Sequence, residues 1–189
     1  MKVLWRWGFV IVYTIGIFVV TPYLPQLIRT ASSKWSSFGV SRFVLWVEIG
    51  LAFVILGLAI VFIIQKKRKS AIFLISATGI FGLSFFIYKL IPNPYEFTHL
   101  PEYAVLSVLL YWALNKTRKS REEINRADKP RILMNPYFQS GAITGMVGSA
   151  DEIYQLIIPN RYYTTYDIFL NILGGILGLL IIWGIRRKK

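Results

Sequence analysis

Several apolar runs of this chain are long enough to cross a lipid bilayer, yet three of them carry ionisable side chains at or near one end. A transmembrane helix needs about 20 mostly apolar residues. Ionisable groups are costly beside hydrocarbon, so they usually face a protein interior or a wet cavity and serve a purpose. We therefore expect an all-α, polytopic membrane helical bundle of about six transmembrane helices. The candidate spans are residues 3–20, 43–64, 71–90, 100–114, 137–158 and 167–185.

The composition favours a membrane protein and excludes several other classes. Hydrophobic residues make up 55% of the chain, and the mean hydropathy of +0.52 is well above that of a soluble domain. The absence of cysteine excludes disulfides and thiolate metal sites. The net charge of +13 is concentrated in clusters between the apolar runs, which favours orientation signals over nucleic-acid binding. No nucleic-acid partner is therefore expected.

Lysine and arginine indicate the direction of the spans. Of the 22 basic residues, all but Arg29, Lys34, Arg42, Lys89 and Arg161 fall on one side of a six-span topology. The basic-rich side should be cytoplasmic, so both termini are expected in the cytoplasm. The first run lacks a small-residue cleavage site before its end, so we interpret it as a retained helix rather than a signal peptide.

The chain is expected to have two parts. Residues 1–70 are predicted to form an N-terminal transmembrane hairpin, whose outer segment 22–42 lies along the interface as a short helix or loop. Residues 71–189 are predicted to form a four-helix core that holds nearly all the unusual polar residues. The hydrophilic segment 115–131 is interpreted as a solvated loop within that core.

Three spans are expected to deliver polar residues to one membrane level. Because the spans alternate in direction, the starts of the fourth and sixth spans lie level with the end of the fifth, on the extracytoplasmic side. His99 and Glu102 are three residues apart and share a helix face. The residues expected to meet at this level are His99, Glu102, Asp151, Glu152, Gln155, Arg161, Asp167 and Asn171.

Two further patterns bear on how these helices pack. Glu152 points about 100° away from Asp151 around its helix, so one acid is free to face the pocket while the other pairs with Arg161. Small residues at helical spacing allow close helix approach. The glycines concerned are Gly141, Gly145 and Gly148 on the fifth span and Gly174, Gly175 and Gly178 on the sixth.

Two series of motifs resemble those of VanZ-like membrane proteins. The first is HLPEYAVL at residues 99–106. The second joins DEIYQ at 151–155, PNR at 159–161 and the segment from Asp167 to Asn171 with the glycines that follow it. The family often has glycine before its arginine, where this chain has Asn160, a conservative change in a turn. The first two spans lie outside the resemblance, which covers roughly residues 91–180.

The resemblance implies a multi-pass protein of the bacterial cytoplasmic (plasma) membrane with a role in the cell envelope. Some members of the family are linked to tolerance of glycopeptide antibiotics such as teicoplanin. The expected partners are membrane lipids and either a lipid-linked envelope precursor or a glycopeptide. A family resemblance does not by itself define the chemistry of the site.

The residues themselves are compatible with acid–base chemistry on an anionic ligand. His99, the sole histidine, is suited to act as general base or acid near neutral pH, with neighbouring acids as partners. A guanidinium binds phosphate or carboxylate bidentately. The candidate catalytic residues are His99, Glu102, Asp151 and Glu152, and the candidate ligand-binding residues are Gln155, Arg161, Asp167 and Asn171. The predicted ligand is a phosphate-bearing, lipid-linked or peptidoglycan-related molecule.

Other interpretations of the same residues stay open. The pocket could bind or transport a lipid head group or a drug without breaking a bond, or the residues could form a structural polar network. No cofactor is predicted, although one histidine among several carboxylates is compatible with a divalent cation. The tyrosines near these motifs are predicted to be interfacial anchors, namely Tyr103, Tyr154, Tyr162, Tyr163 and Tyr166.

Overall fold

The structure is a computed structural model that describes four stretches of the chain and a few single positions. The stretches are residues 3–36, 98–124, 135–158 and 165–185, and the single positions are residues 39, 42, 46, 50, 78, 79, 82, 83 and 86. The predicted spans 43–64 and 71–90 therefore lie almost wholly outside the described residues.

Every secondary-structure element in the described part of the chain is helical, which confirms the all-α prediction. The elements are α1 (Leu4–Val20), the 3₁₀ helix η1 (Thr21–Tyr23), α2 (Leu24–Trp35), α3 (His99–Ile124), α4 (Pro136–Gln155) and α5 (Thr165–Ile185). The four apolar runs predicted in this part each fall on one helix, namely α1, α3, α4 or α5.

The segment after the first span is helical rather than a loop. Pro22 lies in the first turn of η1, where a missing backbone N–H costs no hydrogen bond. The helix α2 follows directly and ends at Trp35, because Ser36 adopts a positive φ of 61° that a right-handed helix excludes. The Ser36 hydroxyl then accepts a hydrogen bond from the Gly39 backbone N–H at 3.1 Å.

The helix α3 extends beyond the predicted span. The sequence indicated a span ending at residue 114 and a loop from residue 115, but α3 continues to Ile124. The loop prediction is wrong for residues 115–124. This stretch contains no glycine or proline, and its Lys, Arg and Glu residues are good helix formers because a helix restricts straight side chains little.

The helix α3 runs antiparallel to α1 and α4 and parallel to α5. The helix α3 packs most extensively against α5 and also contacts α4 and α1. Tyr13 and Trp7 of α1 bond to α3 in reverse order along the chain, so α1 is antiparallel to α3. The N-terminal ends of α3 and α5 and the C-terminal ends of α1 and α4 therefore share one end of the bundle, which we call the polar end.

Glycines set the close contact between α5 and α3. A Cβ added to Gly174 would collide with the backbone carbonyl of Leu100, and one added to Gly178 would collide with the carbonyl of Ala104. On the next face of α5, a Cβ at Gly175 would lie 3.0 Å from Thr144 Cγ2 of α4. The predicted role in close helix approach is confirmed for these three glycines of α5, whereas a Cβ added to Gly145 of α4 would meet nothing within 4 Å.

Two helices of the described residues are long and apolar enough to cross a membrane. They are Leu4–Tyr23 and Thr165–Gly184. The helix α1 also exposes large apolar side chains, including Leu4, Ile11 and Val12. Together with the composition, these features suggest a membrane protein.

Candidate functional site

Asp151 accepts hydrogen bonds from three side chains at the polar end. Its carboxylate is completely buried near the C-terminus of α4. Its Oδ1 accepts a hydrogen bond from the Thr21 hydroxyl at 3.2 Å. Its Oδ2 accepts from the Tyr103 hydroxyl and from Gln155 Nε2, each at 3.2 Å. Groups from η1, α3 and α4 therefore hold this carboxylate in one orientation.

Glu152, the next residue, is also completely buried but faces a different helix. Its Oε1 accepts from Asn171 Nδ2 of α5 at 3.3 Å and from Gln155 Nε2 at 3.1 Å. Successive helical residues diverge by about 100°. Asp151 consequently meets η1 and α3 while Glu152 meets α5, and the Gln155 amide joins the two carboxylates.

His99 completes the cluster from the first turn of α3. The imidazole is 4% exposed, so it lies inside the protein despite its position at a helix end. Its ring stacks on Tyr103, with centroids 6.1 Å apart. One donor atom from each of His99, Asp151 and Glu152 lies within 4.8 Å of the other two. Residues from two helices thus place an imidazole and two carboxylates together.

Glu102 lies at the edge of this cluster. Its carboxylate Oε2 is 3.9 Å from His99 Nδ1, and its side chain is 31% exposed. Its backbone carbonyl accepts a hydrogen bond from the Tyr13 hydroxyl of α1 at 3.1 Å. His99 and Glu102 share a helix face, as their spacing predicted.

A cavity of about 350 Å³ separates α1 from the start of α3. Its lining includes Thr21, His99 and Glu102, together with Tyr13 and Ile17 of α1. Thr21 and His99, which both contribute to the polar cluster, therefore also line this cavity.

Asn171 and Asp167 bring α5 into the same end of the bundle. Asn171 is 1% exposed, and its Nδ2 also donates to the Gly148 carbonyl at 3.3 Å. A Cβ at Gly148 would lie 2.8 Å from Asn171 Cβ, so glycine allows this contact. Within the described part of the chain, Asn171 Oδ1 has no hydrogen-bond partner. Asp167, one turn earlier, is also buried at 1% exposed.

The structure therefore brings together most of the residues singled out in the sequence. His99, Asp151, Glu152, Gln155 and Asn171 form one buried cluster. Asp167 is buried in the first turn of α5, and Glu102 borders the cavity. Arg161 lies outside the described residues. The catalytic and ligand-binding roles of all eight stay predictions.

Two residues of the cluster were missed by sequence reasoning. Tyr103 was predicted to be an interfacial anchor, and that is wrong, because its side chain is fully buried and donates to Asp151. Its position four residues after His99, on the same helix face, was the available signal. Thr21 carried no such signal, because it lies 130 residues from the aspartate it contacts.

Comparison with protein families identifies the segment that contains this cluster. Residues 96–186 match the family model described as VanZ/LLP1. These residues form a VanZ/LLP1 domain. The resemblance noted in the motifs is therefore confirmed, and the domain contains α3, α4, α5 and all eight predicted site residues. No curated protein and no solved structure shows a significant match to the chain.

The VanZ/LLP1 domain does not supply the whole site. Thr21 and the α1 wall of the cavity lie outside residues 96–186 yet contact Asp151 and border His99. Buried carboxylates are stabilised when hydrogen-bond donors replace water, and one of the donors here comes from the N-terminal segment. The arrangement is chemically suited to accept and donate protons at His99 or to hold a cation between oxygen atoms.

Proposed function

We propose that this protein acts in the bacterial cell envelope, where its polar end binds or processes a phosphate-bearing ligand that is lipid-linked or peptidoglycan-related. It is a multi-pass protein of the cytoplasmic membrane in this proposal, with the polar end toward the extracytoplasmic side. Membership of residues 96–186 in the VanZ/LLP1 family supports the envelope assignment.

The observation that carries the proposal is the convergence of three ionisable side chains inside the bundle. His99, Asp151 and Glu152 have donor atoms within 4.8 Å of one another although all three are buried. Burying charge in a helical bundle is costly, so ionisable residues in such positions usually mark substrate, ion or proton sites. The cavity of about 350 Å³ that His99 and Glu102 line supports this proposal, in which it holds the head group of the ligand.

The negative charge of the proposed ligand is inferred from the sequence as well as from the cluster. Arg161 is predicted to lie in the turn before the last span, level with the cluster, and guanidinium groups bind phosphate bidentately. An imidazole between carboxylates is suited to proton transfer to or from a leaving or attacking oxygen. A lipid whose phosphate lies at the membrane surface places its head group at this level.

A binding and turnover experiment tests the proposal. The full-length protein, purified in nanodiscs, is given a polyprenyl phosphate and a polyprenyl diphosphate, with binding and released phosphate both measured. Turnover that His99→Ala abolishes supports an enzyme. Binding that survives His99→Ala but fails in Arg161→Ala supports a binding protein.

The control separates function from structure. A lipid of the same chain length with an alcohol head group should not bind, because it lacks the phosphate. If neither phosphate lipid binds the wild-type protein, and both variants lose only thermal stability, the cluster is a structural polar network and the proposal fails.

Cell-based tolerance is the second readout. We expect deletion of the protein in its host to lower the teicoplanin concentration that stops growth, and wild-type expression to restore it. Restoration by His99→Ala at equal membrane abundance would contradict a role of the site in tolerance.

A further inference from the structure

We propose that His99, Asp151 and Glu152 form a divalent-cation site, with the side-chain oxygen of Asn171 as a further ligand. The inference deepens the proposed function and rests on it for the role of the metal, because a cation would let two carboxylates and a phosphate occupy the same chamber. The existence of the site rests on the geometry alone.

The donor set has the composition and spacing of a metal site. One imidazole nitrogen and two carboxylate oxygens lie within 4.8 Å of one another, from residues on two helices. All three side chains are buried, His99 at 4% exposed and both acids at 0%. Imidazole and carboxylate together suit Mn²⁺, Fe²⁺ and Zn²⁺, and carboxylates alone suit Mg²⁺ and Ca²⁺.

Hydrogen bonds already orient both carboxylates. Asp151 accepts from Thr21, Tyr103 and Gln155, and Glu152 accepts from Gln155 and Asn171. Carboxylates that bind metals are usually held in this way by outer-shell donors.

Asn171 supplies an independent observation. Its side chain is 1% exposed, and its Nδ2 donates to Glu152 Oε1, so the amide group lies next to the Glu152 carboxylate. That oxygen has no hydrogen-bond partner among the described residues. A buried carbonyl oxygen without a partner is costly, and binding a cation would satisfy it.

The donor chemistry selects the probe ion. The three donor atoms lie within 4.8 Å of one another, close enough for one cation to bind all three. The nitrogen ligand favours Mn²⁺ over Ca²⁺, so Mn²⁺ is the probe we choose.

The experiment uses the full-length protein in detergent, stripped of metal by a chelator and titrated with Mn²⁺ alone. Loss of the free-Mn²⁺ electron paramagnetic resonance signal measures binding. We expect about one ion per chain with a Kd of about 10⁻⁴ M or lower. The bound ion should show an imidazole-nitrogen coupling that is lost in His99→Gln.

The variants are matched carboxylate-to-amide changes. Glu152→Gln should weaken Mn²⁺ binding by at least about tenfold. Glu122→Gln is the control. Residue 122 lies twenty positions further along α3 than Glu102, which borders the cluster, so it is about 30 Å from the proposed site. This change should leave the Kd for Mn²⁺ unchanged. If Glu152→Gln does not fold, His99→Gln decides, since His99 has no part in the hydrogen bonds that Asp151 accepts from Thr21, Tyr103 and Gln155.

The possible failures are distinguishable. Absence of saturable Mn²⁺ binding up to about 1 mM, or equal weakening by Glu122→Gln, overturns the cation site. Phosphate-lipid binding that persists unchanged after chelation overturns the proposed role of the cation in phosphate binding, while leaving the proposed function standing. Specific Mn²⁺ binding without any phosphate-lipid binding supports the cation site and removes the proposed function.

Discussion

The two ends of the α1–α3 helix pair use charged residues in opposite ways. At the end opposite the polar end, Arg6 places its guanidinium 4.3 Å from the Trp112 ring centroid and donates to the Trp112 carbonyl at 3.1 Å. At the polar end, Thr21 reaches the Asp151 carboxylate, which is completely buried. The Arg6 guanidinium lies in a partly exposed contact with aromatic rings, whereas the Asp151 carboxylate is enclosed by several helices.

The two ends differ in how a charged side chain is stabilised. A guanidinium over an indole remains partly hydrated and anchors a helix at low cost. A buried carboxylate is stable only where donors surround it, so several elements must be positioned before it is satisfied. The end that contains Arg6 and Trp112, which we call the aromatic end, therefore positions α1 against α3. The polar end instead brings ionisable side chains together, and burying them lowers the stability of the fold. Four predictions test this contrast.

The largest effect is expected from Asp151→Ala. The change removes the acceptor of three hydrogen bonds and leaves the buried Tyr103 hydroxyl without its partner. We expect the free energy of unfolding to fall by about 4 kcal/mol, measured by denaturant titration in mixed micelles. Arg6→Ala at the other end should cost about 1 kcal/mol. Equal losses from the two variants would show that the ends do not differ.

The next effect concerns the close contact that brings α5 to the polar end. Gly174→Ala places a Cβ against the Leu100 carbonyl, a backbone atom that cannot move aside, and should cost about 3 kcal/mol. The matched control is Gly145→Ala on α4, where a Cβ meets nothing within 4 Å. That control should be neutral or stabilising by up to about 1 kcal/mol, because alanine favours helix. A thermal melt that is the same for both variants would contradict the packing argument.

A pair of tyrosines measures the value of a charged acceptor. Tyr103→Phe removes a buried hydrogen bond to a carboxylate, and Tyr13→Phe removes a partly buried one to a backbone carbonyl. We expect losses of about 2 kcal/mol and about 1 kcal/mol respectively, since bonds to charged groups contribute more. Chemical unfolding of the two variants side by side makes the comparison, and the reverse order would count against a charged Asp151.

The smallest effect is expected at the aromatic end. Arg6→Gln keeps a long polar side chain but removes the charge over Trp112 and Trp5, and should cost less than about 1 kcal/mol. Arg29→Gln on the exposed surface of α2 is the control and should have no measurable effect on the melting temperature. A loss of several kcal/mol in Arg6→Gln would mean that this end, too, carries a strongly coupled site.

Sequence patterns predicted much of the fold and most of the cluster. Apolar run lengths located α1, α3, α4 and α5, because a helical span has a fixed rise per residue. Alternating span direction placed His99, Asp151 and Asn171 at one level, and helical spacing placed Glu102 beside His99. The glycines of α5 indicated the close contacts that the structure shows at Gly174 and Gly178.

Other features were beyond reach of the sequence for definite physical reasons. The end of α3 was misplaced because hydropathy marks where a helix leaves the apolar region and not where its backbone stops being helical. Thr21 is a common residue whose role depends on a contact across 130 positions. Tyr103 is compatible with both an interface and a core, and only the packing of α3 against its neighbours distinguishes the two.

Local periodicity and spacing in the chain determined which residues share a helix face, which helix ends lie at the same level, and where helices approach closely. These properties depend on a few positions at a time, so they can be read from the order of the residues. Tertiary packing alone decided that Asp151 faces η1 and α3 while Glu152 faces α5, and that Gln155 bonds to both. Those contacts depend on the rotation of each helix against the others, which is set by side-chain packing and hydrogen bonding summed over the whole bundle.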